Sequence, residues 1–126
     1  PARLTPSEFE LVKPHTTIGH ELFKCSRRSI MHAAAVVAHQ HHEHWDGSGY
    51  PQGLKGEEIH IFGRITGLAD VFDSLSHCRI YKEKWPMDQV IAFIQEQRGQ
   101  RFDPCLVDIL MENLDEFIKI NEEYPD

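Results

Sequence analysis

The sequence predicts an all-α fold, a helical bundle of about five helices with one long Gly/Pro-rich loop. Two patterns predict it. Apolar residues recur at i, i+3, i+4 spacing in separate segments, and no segment alternates with period two. Four glycines and one proline are concentrated between Trp45 and Gly56, where a helical chain has to turn. The 126 residues suffice for one domain that needs no staples to hold its core.

Each element has its own signal. Thr5-Pro6-Ser7-Glu8 is a capping box with proline at the first helical position, opening a helix that runs to about Lys13. Pro14 kinks or restarts it, and Thr16 to Phe23 continues. Ser29 to about His44 is a second helix, apolar nearly all round at Ile30, Met31 and Ala33 to Ala38, which predicts a buried central helix. Phe62 to Ser76 is a third, with Ile65, Leu68, Ala69, Phe72 and Leu75 as its stripe. Met87, Val90, Ile91 and Ile94 mark a fourth, which Gly99 stops. Asp103-Pro104 caps a fifth, striped by Val107, Leu110, Met111, Leu114, Phe117 and Ile118.

Composition narrows the function. Hydrophobic residues make 40% of the chain, which excludes a disordered tail. No apolar run approaches the roughly 18 residues that span a bilayer, and no signal-like segment opens the chain, so it reads as soluble, with no membrane contact. Cys25, Cys78 and Cys105 are far apart and form no C-x-x-C pair. They suit a reducing cytoplasm and offer no thiolate metal site. A net charge of -7 argues against a nucleic-acid polymer as partner. A small phosphate ligand stays open, because bound divalent ions reverse the local field.

Seven of the nine histidines fall within residues 15 to 44. His41 and His42 adjoin near the expected end of the second helix, where consecutive side chains diverge by roughly 100°. On a helix they would serve two adjacent ions rather than one, and imidazole with carboxylate suits iron, manganese or zinc. A solvated, histidine-rich helix end is the alternative. Asp70 favours the metal reading, since an unpaired carboxylate inside the third helix is costly to bury. Gly63, Gly67, Asp70, Asp73, Ser74 and His77 share its face. The two glycines weaken a helix, so either another group approaches the backbone there or two helices pack closely. His15, just past Pro14, is a third candidate, or else a cap or surface residue.

The stretches "HHEHWDGSGYPQGLKGEEI", "GRITGLADVFDSLSHCRIYKEKW" and "FDPCLVDIL" occur in that order. Together they resemble the HD-GYP family, the cyclic di-GMP phosphodiesterase branch of the HD superfamily. Gly49-Tyr50-Pro51 is the tripeptide behind half of that name. The resemblance runs from "LTPSEFELVKPHTTIG" to about Leu110, so residues 1–126 would be the C-terminal (GYP) portion of such a domain. It implies a helical bundle, in agreement with the periodicity. It also implies metal-assisted hydrolysis of a 3′-5′ cyclic dinucleotide phosphodiester, with two or three divalent ions, iron or manganese.

By motif, His15, His41, His42 and Asp70 resemble the metal ligands, with His41 and Asp70 central to catalysis. Arg79 and Lys82 match positions that contact substrate phosphate, although Ile80 stands where the family usually has proline. Tyr50 would add aromatic surface for substrate, and Asp73 would orient the site. The resemblance also suggests GGDEF domains as partners of the Gly49-Tyr50-Pro51 loop, or a rigid loop that merely closes the site.

One part of the family pattern is absent. Its His-Asp diad, in a stretch like "HDIGK", would lie immediately before Pro1, and these residues contain no His-Asp dipeptide. The expectation is a piece of a longer phosphodiesterase, hydrolytically inert alone and prone to self-association through an uncovered second helix. A degenerate docking module that binds a GGDEF-type partner is the alternative.

Overall fold

A computed structural model describes residues 3–78 and 83–125. Among them are α1 (Pro6–Val12), α2 (His15–Phe23), α3 (Ser29–Gln40), a 3-10 turn (Gly56–Glu58), α4 (Ile61–Ser76), α5 (Met87–Glu96), α6 (Pro104–Glu112) and α7 (Leu114–Glu123). The described residues contain isolated β-bridges but no strand. All five expected spans are helical, and two are divided. Lys13-Pro14 separates α1 from α2. Asn113 separates α6 from α7, its side-chain amide donating to the Ile109 carbonyl at 2.9 Å.

The caps form as their residue types demand. The Thr5 N–H donates to Glu8 at 2.7 Å, and the Glu8 N–H donates back to the Thr5 hydroxyl at 3.3 Å. The Asp103 carboxylate accepts from the Cys105 N–H at 2.9 Å and starts α6. Its other oxygen takes Arg64 at 2.6 Å, tying α4 to α6.

The core lies in the C-terminal half. Leu68, Val71 and Leu75 of α4 meet Val90 and Ile94 of α5, Phe102, and Val107 and Leu110 of α6. The N-terminal half is built differently. In α2 and α3 only Thr16 and Ala35 are buried. A Cβ at Gly19 would lie 2.9 Å from the Ala38 Cβ, so α2 rests directly on the small side chains of α3. This corrects the expected buried central helix: Ile30 is 70% exposed, and the alanine run is a bed for α2.

The end of α3 also departs from expectation, falling at Gln40 rather than about His44. There α4 closes on it. A Cβ on Gly63 would come within 2.7 Å of the Gln40 Cβ, and one on Gly67 within 2.9 Å of the His41 carbonyl. Close helix packing explains the two glycines, and the group that approaches is the end of α3. The three cysteines are free and exposed. No helix among the described residues is long and apolar enough to cross a membrane.

Candidate metal centre

The three expected histidines converge. His15 opens α2, His41 caps α3 and His42 follows it. Each offers one ligand atom, and these atoms lie within 4.8 Å of one another. The His41 and His42 rings are 4.1 Å apart, tilted by 42°. His15 stands 5.5 Å from His41 and 5.1 Å from His42. The expected helical divergence of the adjacent pair is therefore corrected. Because α3 ends at Gln40, residues 41 and 42 lie in a turn, and both rings can face a single ion with His15.

Backbone carbonyls set the two outer rings. His15 donates from Nδ1 to the Val12 carbonyl at 2.7 Å, and His41 from Nδ1 to the Val37 carbonyl at 2.7 Å. A carbonyl only accepts, so Nδ1 carries the proton and Nε2 keeps its lone pair for a ligand. His42 is held by packing: Tyr50 stacks on it at 5.0 Å with 25° between planes. Phe9 meets Tyr50 edge-on at 5.7 Å, so α1 covers the far side of that stack. Tyr50 is thereby engaged in holding the His42 ring.

Burial pushes the His42 imidazole down to about 4, helped by the neighbouring His41 and His15. It is neutral near pH 7, the form that binds a metal. Burial lowers His44 and His39 as well. An unfolded chain takes up these protons near 6.5, so it binds more protons than the fold between about 6.5 and about 4. The metal-free protein is expected to hold full stability above that window and lose it as pH falls through it. Thermal midpoints across pH 4–7 check this, and a flat profile contradicts it.

The loop after His42 is fastened by its backbone. Glu43 is 7% exposed and accepts from the Gln52 N–H at 2.7 Å and the Leu54 N–H at 3.0 Å. Trp45 N–H donates to the Arg101 carbonyl at 3.1 Å, and Asp46 N–H to the Gln100 carbonyl at 2.8 Å. Gly47 and Gly53 turn the chain at φ of 85° and 67°. Gly49 lies against residues 42–44: a Cβ there would sit 2.4 Å from His44 N and 2.5 Å from the His42 carbonyl.

Asp70 is exposed, so the cost of burial does not explain it. It stands one turn past Gly67, which touches the His41 carbonyl. It is within electrostatic reach of Tyr50 and Arg101, but it is not a member of the three-histidine group. Asp73 is bridged to His77 at 3.0 Å. Arg79 and Lys82 lie outside the described residues.

Sequence reasoning missed two residues. Glu43 was readable in principle: a carboxylate directly before a glycine-rich loop faces many unpaired N–H groups. Arg101 had no local signal. It reaches the site because the turn after α5 hydrogen-bonds to the loop.

The HD domain family model matches residues 1–106. A 3'3'-cGAMP-specific phosphodiesterase 2 of Vibrio cholerae is 44% identical over 126 residues, covering all of this chain and 24% of that protein. The cyclic di-GMP phosphodiesterase response regulator RpfG of Xanthomonas campestris is 47% identical over 111 residues, 88% of this chain and 29% of the regulator. A crystal structure of a cyclic GMP-AMP specific phosphodiesterase from V. cholerae superposes with a TM-score of 0.72 and 30% identity, over 89% of this chain and 25% of that one. The chain thus spans between a fifth and a third of the length of these relatives. Matched along most of its length and carrying the converged histidines beside its Gly-Tyr-Pro loop, the chain belongs to the HD domain family, in its HD-GYP branch.

Proposed function

We propose that this domain serves a metal-dependent phosphodiesterase acting on a cyclic dinucleotide, with cyclic di-GMP as first choice and cyclic GMP-AMP as its competitor. The observation that carries the reading is the convergence of His15, His41 and His42 with Nε2 of two rings left for ligation. The names of the relatives supply the substrate class.

The donor set fits iron or manganese, in a site of two or three ions with Asp70 as the carboxylate. Such ions, when bound, acidify a water molecule and neutralise charge on a phosphodiester. The chain's own part is positional. Val12 and Val37 carbonyls fix two tautomers, Tyr50 orients His42, and Glu43 holds the loop that carries Tyr50. Arg79 and Lys82 supply positive charge after α4, and Asp73 acts through His77. Hydrolysis of both dinucleotides by a metal-loaded protein containing this domain, with loss on chelation, tests the reading. A metal-replete protein that cleaves neither overturns it.

Arg79→Ala and Lys82→Ala are each expected to lower kcat/KM by about ten- to a hundredfold, the worth of a charge-assisted hydrogen bond, with metal content unchanged. Wild-type kinetics in both would make them ordinary surface charges.

Two partner proposals accompany this reading. A GGDEF-type domain would meet Pro51, Gln52 and Gly53, which are exposed, whereas Tyr50 is engaged within the chain. The 126-residue chain is also expected to self-associate, because Ile30, Ile65 and Ile109 are 70%, 48% and 50% exposed. Sedimentation over a concentration series decides it, and a monomer throughout rejects it.

A further inference from the structure

Three arginines surround the turn after α5, and two of them are fully engaged. Arg64 donates to Asp103 at 2.6 Å and to the Ile59 carbonyl at 2.9 Å. Arg98 makes a two-pronged pair with Asp108, 2.8 Å on each arm. Arg101 differs. Its backbone is fixed, with its N–H on the Gln97 carbonyl at 3.1 Å and its carbonyl on Trp45. Its guanidinium is half-buried beside the Phe102 ring, at 5.7 Å. Among the described residues it makes no side-chain hydrogen bond and no ion pair. It lines a small cavity with His41, His44 and Gly67, and it is within electrostatic reach of His42 and Asp70.

A half-buried guanidinium with five donors and no acceptor is a costly arrangement for scaffolding alone. Scaffolding in this region is already supplied by Arg64 and Arg98. The turn that carries Arg101 is pinned to the loop by main-chain bonds, so its side chain is not needed to hold the two together. What the donors lack is a hydrogen-bonded anion, Asp70 being near enough for electrostatics only, and they match a phosphodiester in both charge and planar geometry.

We propose that Arg101 is a phosphate-contacting residue of this site, donating to a non-bridging oxygen of the phosphodiester held beside His15, His41 and His42. The proposal rests on the phosphodiesterase reading and extends it to a residue outside the metal and RIYK motifs. Asp70 favours the charged guanidinium against the cost of its burial, so the donor is ready before the anion arrives.

The test is direct binding by the metal-loaded protein that contains this domain. Calorimetry would use two probes, inorganic phosphate and the hydrolysis-resistant phosphorothioate of cyclic di-GMP. Arg101→Gln is expected to weaken both by about ten- to a hundredfold, and Arg101→Lys to recover part of the loss. Metal stoichiometry and thermal midpoint should stay at wild-type values in both variants. Unchanged affinity in Arg101→Gln overturns the assignment. So does a loss that tracks a fall in metal content or midpoint, or one that Arg101→Lys does not ease. Wild-type protein that binds phosphate but not the dinucleotide defeats the substrate reading instead, and the phosphate arm then decides Arg101 alone. Wild-type protein that binds neither probe overturns both.

Discussion

Alanine in place of His41 is expected to abolish metal binding and, in the protein that contains this domain, the proposed activity with it. Two imidazoles remain, and neither can replace the lost nitrogen, because His15 is tethered to Val12 and His42 is packed on Tyr50. Changing the groups that merely orient a ligand costs ten- to a hundredfold in metal affinity, so losing the ligand should cost more than about a hundredfold. The fold should survive. His41 is only half-buried, and its Nδ1 bond to Val37 satisfies a carbonyl at a helix end that water can also reach. Metal analysis and circular dichroism on the same sample separate the two effects. Full metal content in the variant would place His41 outside the centre. Asp70→Ala should follow with a smaller fall in metal affinity, since Asp70 stands apart from the three-histidine group.

Alanine at Gly49 should be nearly as damaging, by another route. The added methyl would meet His44 N at 2.4 Å, the His42 carbonyl at 2.5 Å and the Glu43 carbonyl carbon at 2.7 Å. All three are backbone atoms, so no rotamer change relieves them. Overpacking of this kind costs about 3 kcal/mol or more, which corresponds to roughly 10 °C in thermal midpoint for a domain of this size. The loop would have to lift, carrying Tyr50 away from His42 and straining the bonds that Glu43 makes to Gln52 and Leu54. Metal affinity should therefore fall even though no ligand is touched. A variant with wild-type midpoint and metal content would show that the loop has room that the close approach denies.

Local signals in the sequence proved legible and non-local ones did not. Thr5 with Glu8, and Asp103 with Pro104, act within one helical turn, so residue type alone foretold their caps. The α4 stripe was legible only in part: Leu68 and Leu75 are buried and Phe72 packs against the core as expected, but Ile65 and Ala69 are exposed, and Val71, outside the expected stripe, is buried in their place. The reach of α3 was not legible. A run of alanines and valines has no distinct face, and the run serves as a bed for α2 at Gly19, which nothing near it in the chain announces. His15 was one candidate among others just past Pro14, and only its resemblance to a motif made it a ligand, since spacing could not show that α2 folds back on α3. Asp70 was chosen for a burial it does not have, and its place beside the site comes from Gly67. Arg101 belongs to a turn about sixty residues from His42, and only the folded chain brings them near.

The contact of α4 with the end of α3 has a consequence for inheritance. At Gly67 the α4 backbone faces the His41 carbonyl directly, and at Gly63 only the Gln40 Cβ stands between the two helices, so the separation of Asp70 from the imidazoles is set close to the main chain. Drift in the apolar residues of α4 can reshape the core without altering that dimension. A single methyl at either glycine would change it at once, by wedging the helices apart. The spacing of the proposed metal site is thus encoded at two positions with no side chain to offer as a ligand. A screen that scores only chemically active side chains would pass over both.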